Sequence, residues 1–140
     1  MESTLQNRPR WLTPVSFFAI LFGLLTLKEG GAVLFIDGAA RKAAGNYVPF
    51  VLWFNFSAGF LYIAAGIGLW RMRPWSARLA TLIVALTLLV FAAFGVYVFR
   101  GGAYELRTVM AMALRSLVWL AISYAANRFF SRRVKVKQSQ

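Results

Sequence analysis

Four strongly polar residues sit where an apolar chain carries few: Lys28, Glu29, Asn55 and Arg115. The first two interrupt "LLTLKEGGAVLFI", residues 24 to 36. A carboxylate and a guanidinium in lipid can do three things: pair with each other, line a hydrated site, or hold a charged ligand. An unpaired ionised side chain near mid-membrane costs ~3 kcal/mol or more. Lys28 and Glu29 cannot relieve one another on one helix face, because adjacent helical residues point about 100° apart. Glu29 is therefore expected to seek Arg115 on another helix, with Asn55 in reach of either. Three readings stay open. The Glu29–Arg115 pair fixes which helices meet; or the group lines a vestibule filled by water or a ligand; or Gly30-Gly31 ends the first helix early and leaves Lys28 and Glu29 at the interface.

Other chemistry is scarce. The chain has no His and no Cys, which removes the commonest general base, the commonest metal ligand, thiolates and disulfides. Glu29, Asp37 and Glu105 are too few and too scattered for a carboxylate metal site. Phosphate loops, nucleophile elbows and zinc-helix motifs are missing from the sequence. The expectation is a non-catalytic protein with no metal and no cofactor. A quinone stays open, because it needs only an apolar slot and a donor or two.

The elements that must position these residues follow from composition. Of 140 residues, 60% are hydrophobic and only 14% charged, against about 25% charged in soluble domains. Four apolar runs stand out, at about 11–36, 48–70, 79–99 and 108–130. Each reaches the ~20 residues that cross a bilayer as a helix. They are apolar all round and lack the alternation of barrel strands. The fold expected is an all-α integral membrane protein: one domain, 1–140, with four transmembrane helices in an antiparallel up-down bundle and a basic cytoplasmic tail, 131–140. The Lys28-Glu29 pair and the apolar run after it argue against a cleaved leader.

The net charge of +12 reads as membrane orientation, since the basic residues flank apolar runs; no nucleic-acid partner is expected. Arg8, Arg10, Arg71, Arg73, Arg78, Arg128, Arg132, Arg133, Lys135 and Lys137 fall on one side. Arg41, Lys42, Arg100 and Arg107 fall on the other. Ten against four predicts both termini cytoplasmic and a multi-pass protein of the bacterial inner membrane. Trp11, Tyr47, Trp70, Trp75, Tyr97 and Tyr104 sit near the span ends. Pro14 and Pro49 fall in first turns, where a missing N–H is tolerated.

In that orientation Lys28, Glu29, Asn55 and Arg115 share the outer half of the bundle. "RGGAYELR" reads as a tight outer hairpin flanked by Glu105 and Arg107, with Glu105 in the first turn of the last helix, where the helix dipole favours an anion. "DGAARKAAGNY" reads as a loop with an external helical turn. Arg132, Arg133, Lys135 and Lys137 are expected on anionic headgroups. Small residues four apart (Thr26/Gly30, Ala64/Gly68, Ala77/Thr81, Ala121/Ala125) mark candidate close helix contacts. Trp119 is a candidate cation–π cap for Arg115.

The segments "ILFGLLTLKEGG" and "AGFLYIAAGIGLWRMRPWSARLATLIVAL" resemble the DoxX-like small bacterial four-helix membrane proteins over roughly the first two thirds of the chain. Many members of that group carry an acidic residue in the outer part of helix two; here the nearest polar residue is Asn55. The last third departs from the pattern and suggests an uncharacterised branch. The resemblance implies an inner-membrane bundle in a family whose roles range from quinol-oxidase subunits to redox and stress-related complexes. The function expected is an accessory or assembly subunit of a membrane complex, or a homo-oligomer, with a polar site in its outer half. The alternatives are a small oligomeric transporter or channel, and a quinol-interacting subunit of a redox complex.

Overall fold

A computed structural model describes residues 9–36 and 38–139. Arg8 and Asp37 lie outside them. The described chain is helical: α1 (Leu12–Phe35), the short α2 (Ala39–Ala44), α3 (Pro49–Trp70), α4 (Trp75–Phe99) and α5 (Leu106–Gln138). α1, α3, α4 and α5 are long and apolar enough to cross a membrane, which marks a multi-pass membrane protein. Their outer surfaces agree: Leu21, Leu89, Leu114 and Leu117 are all more than half exposed, an arrangement that water penalises and hydrocarbon does not.

The expected limits hold within a few residues at most ends. Pro49 occupies the first turn of α3, as its missing N–H requires. α4 begins at Trp75, four residues before the apolar run at 79. α5 is the main departure. Its 33 residues make a rod of about 50 Å, so residues 131–138 are the last two turns of α5 and not a separate tail. Gly30 and Gly31 do not end α1, which continues to Phe35. Beyond it, Arg41 on α2 donates from Nε to the Val33 carbonyl and from a terminal nitrogen to the Leu34 carbonyl, both at 3.0 Å. A cation thus satisfies the open carbonyls at the helix end.

α1 and α3 make the closest pair. The buried residues of α1 are Leu12, Ser16, Ala19, Gly23, Thr26 and Gly30, alternately four and three apart, the spacing of a helix–helix seam. A Cβ at Gly23 would stand 2.7 Å from the Gly59 carbonyl oxygen, and one at Gly66 would stand 2.9 Å from the Ser16 carbonyl oxygen. Gly30 meets Phe56. Small residues let the backbones touch, which is how helices gain dispersion energy in lipid. Of the four pairs expected from sequence, only Thr26/Gly30 is buried as a pair; Thr81 and Ala121 are exposed, and the close approach runs through Gly23, Gly59 and Gly66.

The two ends of the bundle are distinct. At one, the first and third connections are joined: the Asn46 backbone N–H donates to Glu105 Oε1 at 2.9 Å and Arg107 donates to the Ala43 carbonyl at 2.8 Å. Glu105 precedes α5 as its N-cap residue, with no side-chain bond to the helix. Its carboxylate reaches across to the first connection, not to the helix end that the sequence favours. At the other end the α3–α4 turn, the start of α1 and the end of α5 gather; Trp11 stands edge-on to Phe129 with 6.1 Å between centroids.

Candidate functional site

The interior is divided. One apolar cluster, near the joined connections, contains Val48, Val51, Phe94 and Met112. A larger one toward the other end contains Ala58, Tyr62, Ile83, Val84, Trp119 and Ile122. Between them, each of α3, α4 and α5 carries a polar residue: Asn55 lies between Val51 and Ala58, Thr87 between Val84 and Phe94, and Arg115 and Ser116 between Met112 and Trp119. Thr26 of α1 adds a further buried hydroxyl. The hydroxyls are satisfied locally. Thr26 donates to the Phe22 carbonyl, Thr87 to that of Ile83 and Ser116 to that of Met112, at 2.6–2.8 Å, each by the back-bond to the preceding turn that such residues make in helices.

The larger side chains are not satisfied. Asn55 Oδ1, Tyr62 Oη, Arg115 Nε and Trp119 Nε1 are buried with no hydrogen-bond partner among the described residues. Tyr62 and Trp119 are fully buried. Their rings stack with 4.8 Å between centroids, and Phe22 stacks on the other face of the series, 5.4 Å from Tyr62. The Arg115 guanidinium carbon stands 5.7 Å from the Phe22 ring centre, within range of a cation–π attraction. The same guanidinium lies beside the Tyr62 hydroxyl. α1, α3 and α5 therefore converge on a guanidinium set against Phe22 and Tyr62, with Trp119 stacked on Tyr62. The cation–π partner is Phe22 of α1, not Trp119, which is taken up by Tyr62.

Two expected members of the cluster are elsewhere. Lys28 and Glu29 are exposed on α1, and no ion pair joins Glu29 to Arg115. The reason is depth. Phe22, the α1 residue under Arg115, lies seven residues before Glu29, so about 10 Å separates them along the axis. The guanidinium stands at mid-span, and the four residues do not share one half of the bundle. Asn55 lies between Val51 and Ala58 on the core-facing stripe of α3, and its Oδ1 has no partner among the described residues. Glu105 and Arg107 flank the joined connections and take no part in the interior group.

A second polar group was not foreseen. At the interface of α4 and α5, Asn127 Nδ2 donates to Thr81 Oγ1 at 2.9 Å and to the Ser123 carbonyl at 2.8 Å, and the Thr81 and Ser123 hydroxyls are 3.1 Å apart. The group ties α4 to α5 by side-chain hydrogen bonds. Its signal in the sequence was the pair Ser123 and Asn127, four apart on one helix face.

The arrangement has one chemical direction. Arg115 is always charged, and among the described residues no carboxylate enters the bundle interior. Three of the four unsatisfied groups carry an N–H or O–H donor. The site is suited to receive an oxygen with lone pairs or negative charge. Fold and site together define a small multi-pass helical membrane protein with a cationic, aromatic-lined interior. No protein-family model, curated protein or solved structure matches the chain.

Proposed function

We propose that this chain is a non-catalytic accessory or assembly subunit of a membrane complex, whose Arg115 group receives an acceptor oxygen from a ligand or a partner helix. The observation that carries this is the guanidinium without a counter-ion among the described residues, set against the Phe22 ring and the Tyr62 hydroxyl, with Trp119 Nε1 buried and unpartnered in the same interior. Each such buried orphan costs about 1–3 kcal/mol, a burden that an acceptor in place would lift. The four spans are read as an antiparallel up-down bundle in the bacterial inner membrane, both termini cytoplasmic. Support comes from the ten-to-four basic asymmetry and from the hydrogen bonds between the first and third connections. The resemblance to DoxX-like proteins is consistent with this reading.

The test is extraction in a gentle detergent, followed by native mass spectrometry of the wild type, Arg115→Lys and Arg115→Met. The wild type is expected to retain a partner chain or an oxygen-rich ligand that Arg115→Met loses and Arg115→Lys partly keeps. A wild type that carries nothing, or a Met variant that carries the same partner, would refute the proposal.

A quinol-binding role is the second reading. The Phe22–Tyr62–Trp119 stack beside the Arg115 guanidinium favours it, since a quinone is a flat ring with carbonyl acceptors. Solvent extraction of the purified protein decides between them: quinone in stoichiometric amount supports it, and none excludes it. A transport path lined by Glu29 and Arg115 is not favoured, because about 10 Å along the axis separates them.

A further inference from the structure

A groove of about 430 Å³ opens where the first turn of α4 meets the far end of α5. On the α5 side it is lined by Asn127, Ser131 and Lys135, one face of the helix, and on the α4 side by Ala77 and Arg78, with Phe130 at its floor. It exists because the helices differ in length. Thr81 meets Asn127 and Ser123, so the start of α4 lies level with about residues 129–133 of α5. About the last two turns of α5 overhang, and no other element among the described residues lines the groove.

The lining is amphipathic in a defined order. The buried Phe130 and Ala77 form an apolar floor, exposed Val134 continues it along α5, and Arg78 and Lys135 stand on the two different helices. The N-terminal end of α4 adds its partial positive charge. Among the described residues the only acids are Glu29 and Glu105, and Glu105 is tied to the first connection at the opposite end. None of them lines the groove to neutralise its two cations. Arg71, Arg73, Arg132 and Lys137 belong to the same end of the molecule, which raises the local concentration of anions there.

We propose that this groove is a binding site for the phosphate of an anionic phospholipid, held between Arg78 and Lys135, with the glycerol and first methylenes over Ala77 and Phe130. The occupant is a lipid of the surrounding bilayer, because the apolar floor leads out onto the membrane-facing surface and the cations sit at the level where headgroups lie. The site is separate from the Arg115 group and stands whether or not that group binds anything.

The test is native mass spectrometry of the full chain released from nanodiscs of mixed phosphatidylglycerol and phosphatidylcholine. Arg78→Gln/Lys135→Gln is compared with Arg132→Gln/Lys137→Gln, which removes the same charge outside the groove. A Ser131→Trp variant fills the groove with its charge intact. Each basic residue near a membrane contributes about fivefold to anionic-lipid affinity. Retention of phosphatidylglycerol is expected to fall about thirtyfold in the groove double variant and to fall likewise in Ser131→Trp. The control double variant loses only the general attraction of the basic surface and should fall clearly less than the groove double variant. Equal losses in both double variants, no preference for phosphatidylglycerol over phosphatidylcholine, or displacement of the lipid by millimolar inorganic phosphate would each overturn the proposal.

Discussion

Arg115 lies over the ring of Phe22, 5.7 Å from guanidinium carbon to ring centre, and two helical turns from Glu29. The cation of α5 therefore meets an aromatic ring of α1 in place of the carboxylate that the sequence offered. Removing Glu29 should leave Arg115 untouched. In a double-mutant cycle of Arg115→Met and Glu29→Gln, read by unfolding in detergent, the coupling should be below about 0.5 kcal/mol. A coupling above about 1 kcal/mol would mean the two charges interact after all.

The single change Arg115→Met carries its own prediction. Replacing a buried charge that has no counter-ion by an apolar group of similar length removes its desolvation penalty, a cost of about 3 kcal/mol near mid-membrane. The empty protein should thus unfold at the same or a higher temperature as Arg115→Met, while losing whatever the wild type retains. Binding and stability should move in opposite directions, the sign expected where a binding site carries unsatisfied groups. A loss of stability of about 3 kcal/mol or more would show that Arg115 already has its partner inside the chain.

The four spans were legible, because length and apolar composition are local quantities and lipid fixes the threshold. The placing of Arg115 and Asn55 within spanning helices was legible too, since both fall inside long apolar runs. The pairing was not. Matching Glu29 to Arg115 needed the relative depth of two helices, and a shift of seven residues is invisible in either helix alone. The α1–α3 seam was half hidden for another reason. Thr26 and Gly30 were visible as small residues four apart, but the contact continues through Gly23 to Ala19 and Ser16 by alternate steps of three and four. Only the longer register identifies the face.

That seam predicts a graded response. A methyl group at Gly23 meets the backbone of Gly59 and a carbon of Ile63, both at 2.7 Å, and backbone does not step aside. Gly23→Ala should cost about 1–3 kcal/mol through overpacking, and Gly23→Leu should prevent the α1–α3 pair from forming. A methyl group at Gly95 would meet nothing within 4 Å, so Gly95→Ala should be neutral or slightly stabilising through better helix propensity. Denaturation of the three variants in one detergent makes the comparison. Equal effects at Gly23 and Gly95 would contradict the seam.

The α4–α5 interface permits a covalent check. The Thr81 and Ser123 hydroxyls are 3.1 Å apart, so Cys at both positions falls within reach of a disulfide. The chain has no cysteine of its own, which removes background. Thr81→Cys/Ser123→Cys should oxidise readily and migrate as a closed species on a denaturing gel, whereas Glu29→Cys/Arg115→Cys should stay reduced. Oxidation of the second pair and not the first would overturn both the interface and the depth assignment.

The hydrogen bonds between connections make the orientation testable in a way that charge counting is not. Asn46 to Glu105 and Arg107 to Ala43 require the first and third connections to share one face of the membrane, whichever face that is. Single cysteines at Ala43 and Ala103, both exposed, should therefore react together with an impermeant maleimide, and one at Ser139, beyond the end of α5, should react from the opposite side. The basic asymmetry adds that intact cells label the first two and not the third. If all three patterns are inverted, the hydrogen bonds stand and the charge rule fails for this chain. If Ala43 and Ala103 label from different sides, the link between the connections is wrong, and with it the register that brings α5 and Arg115 against α1.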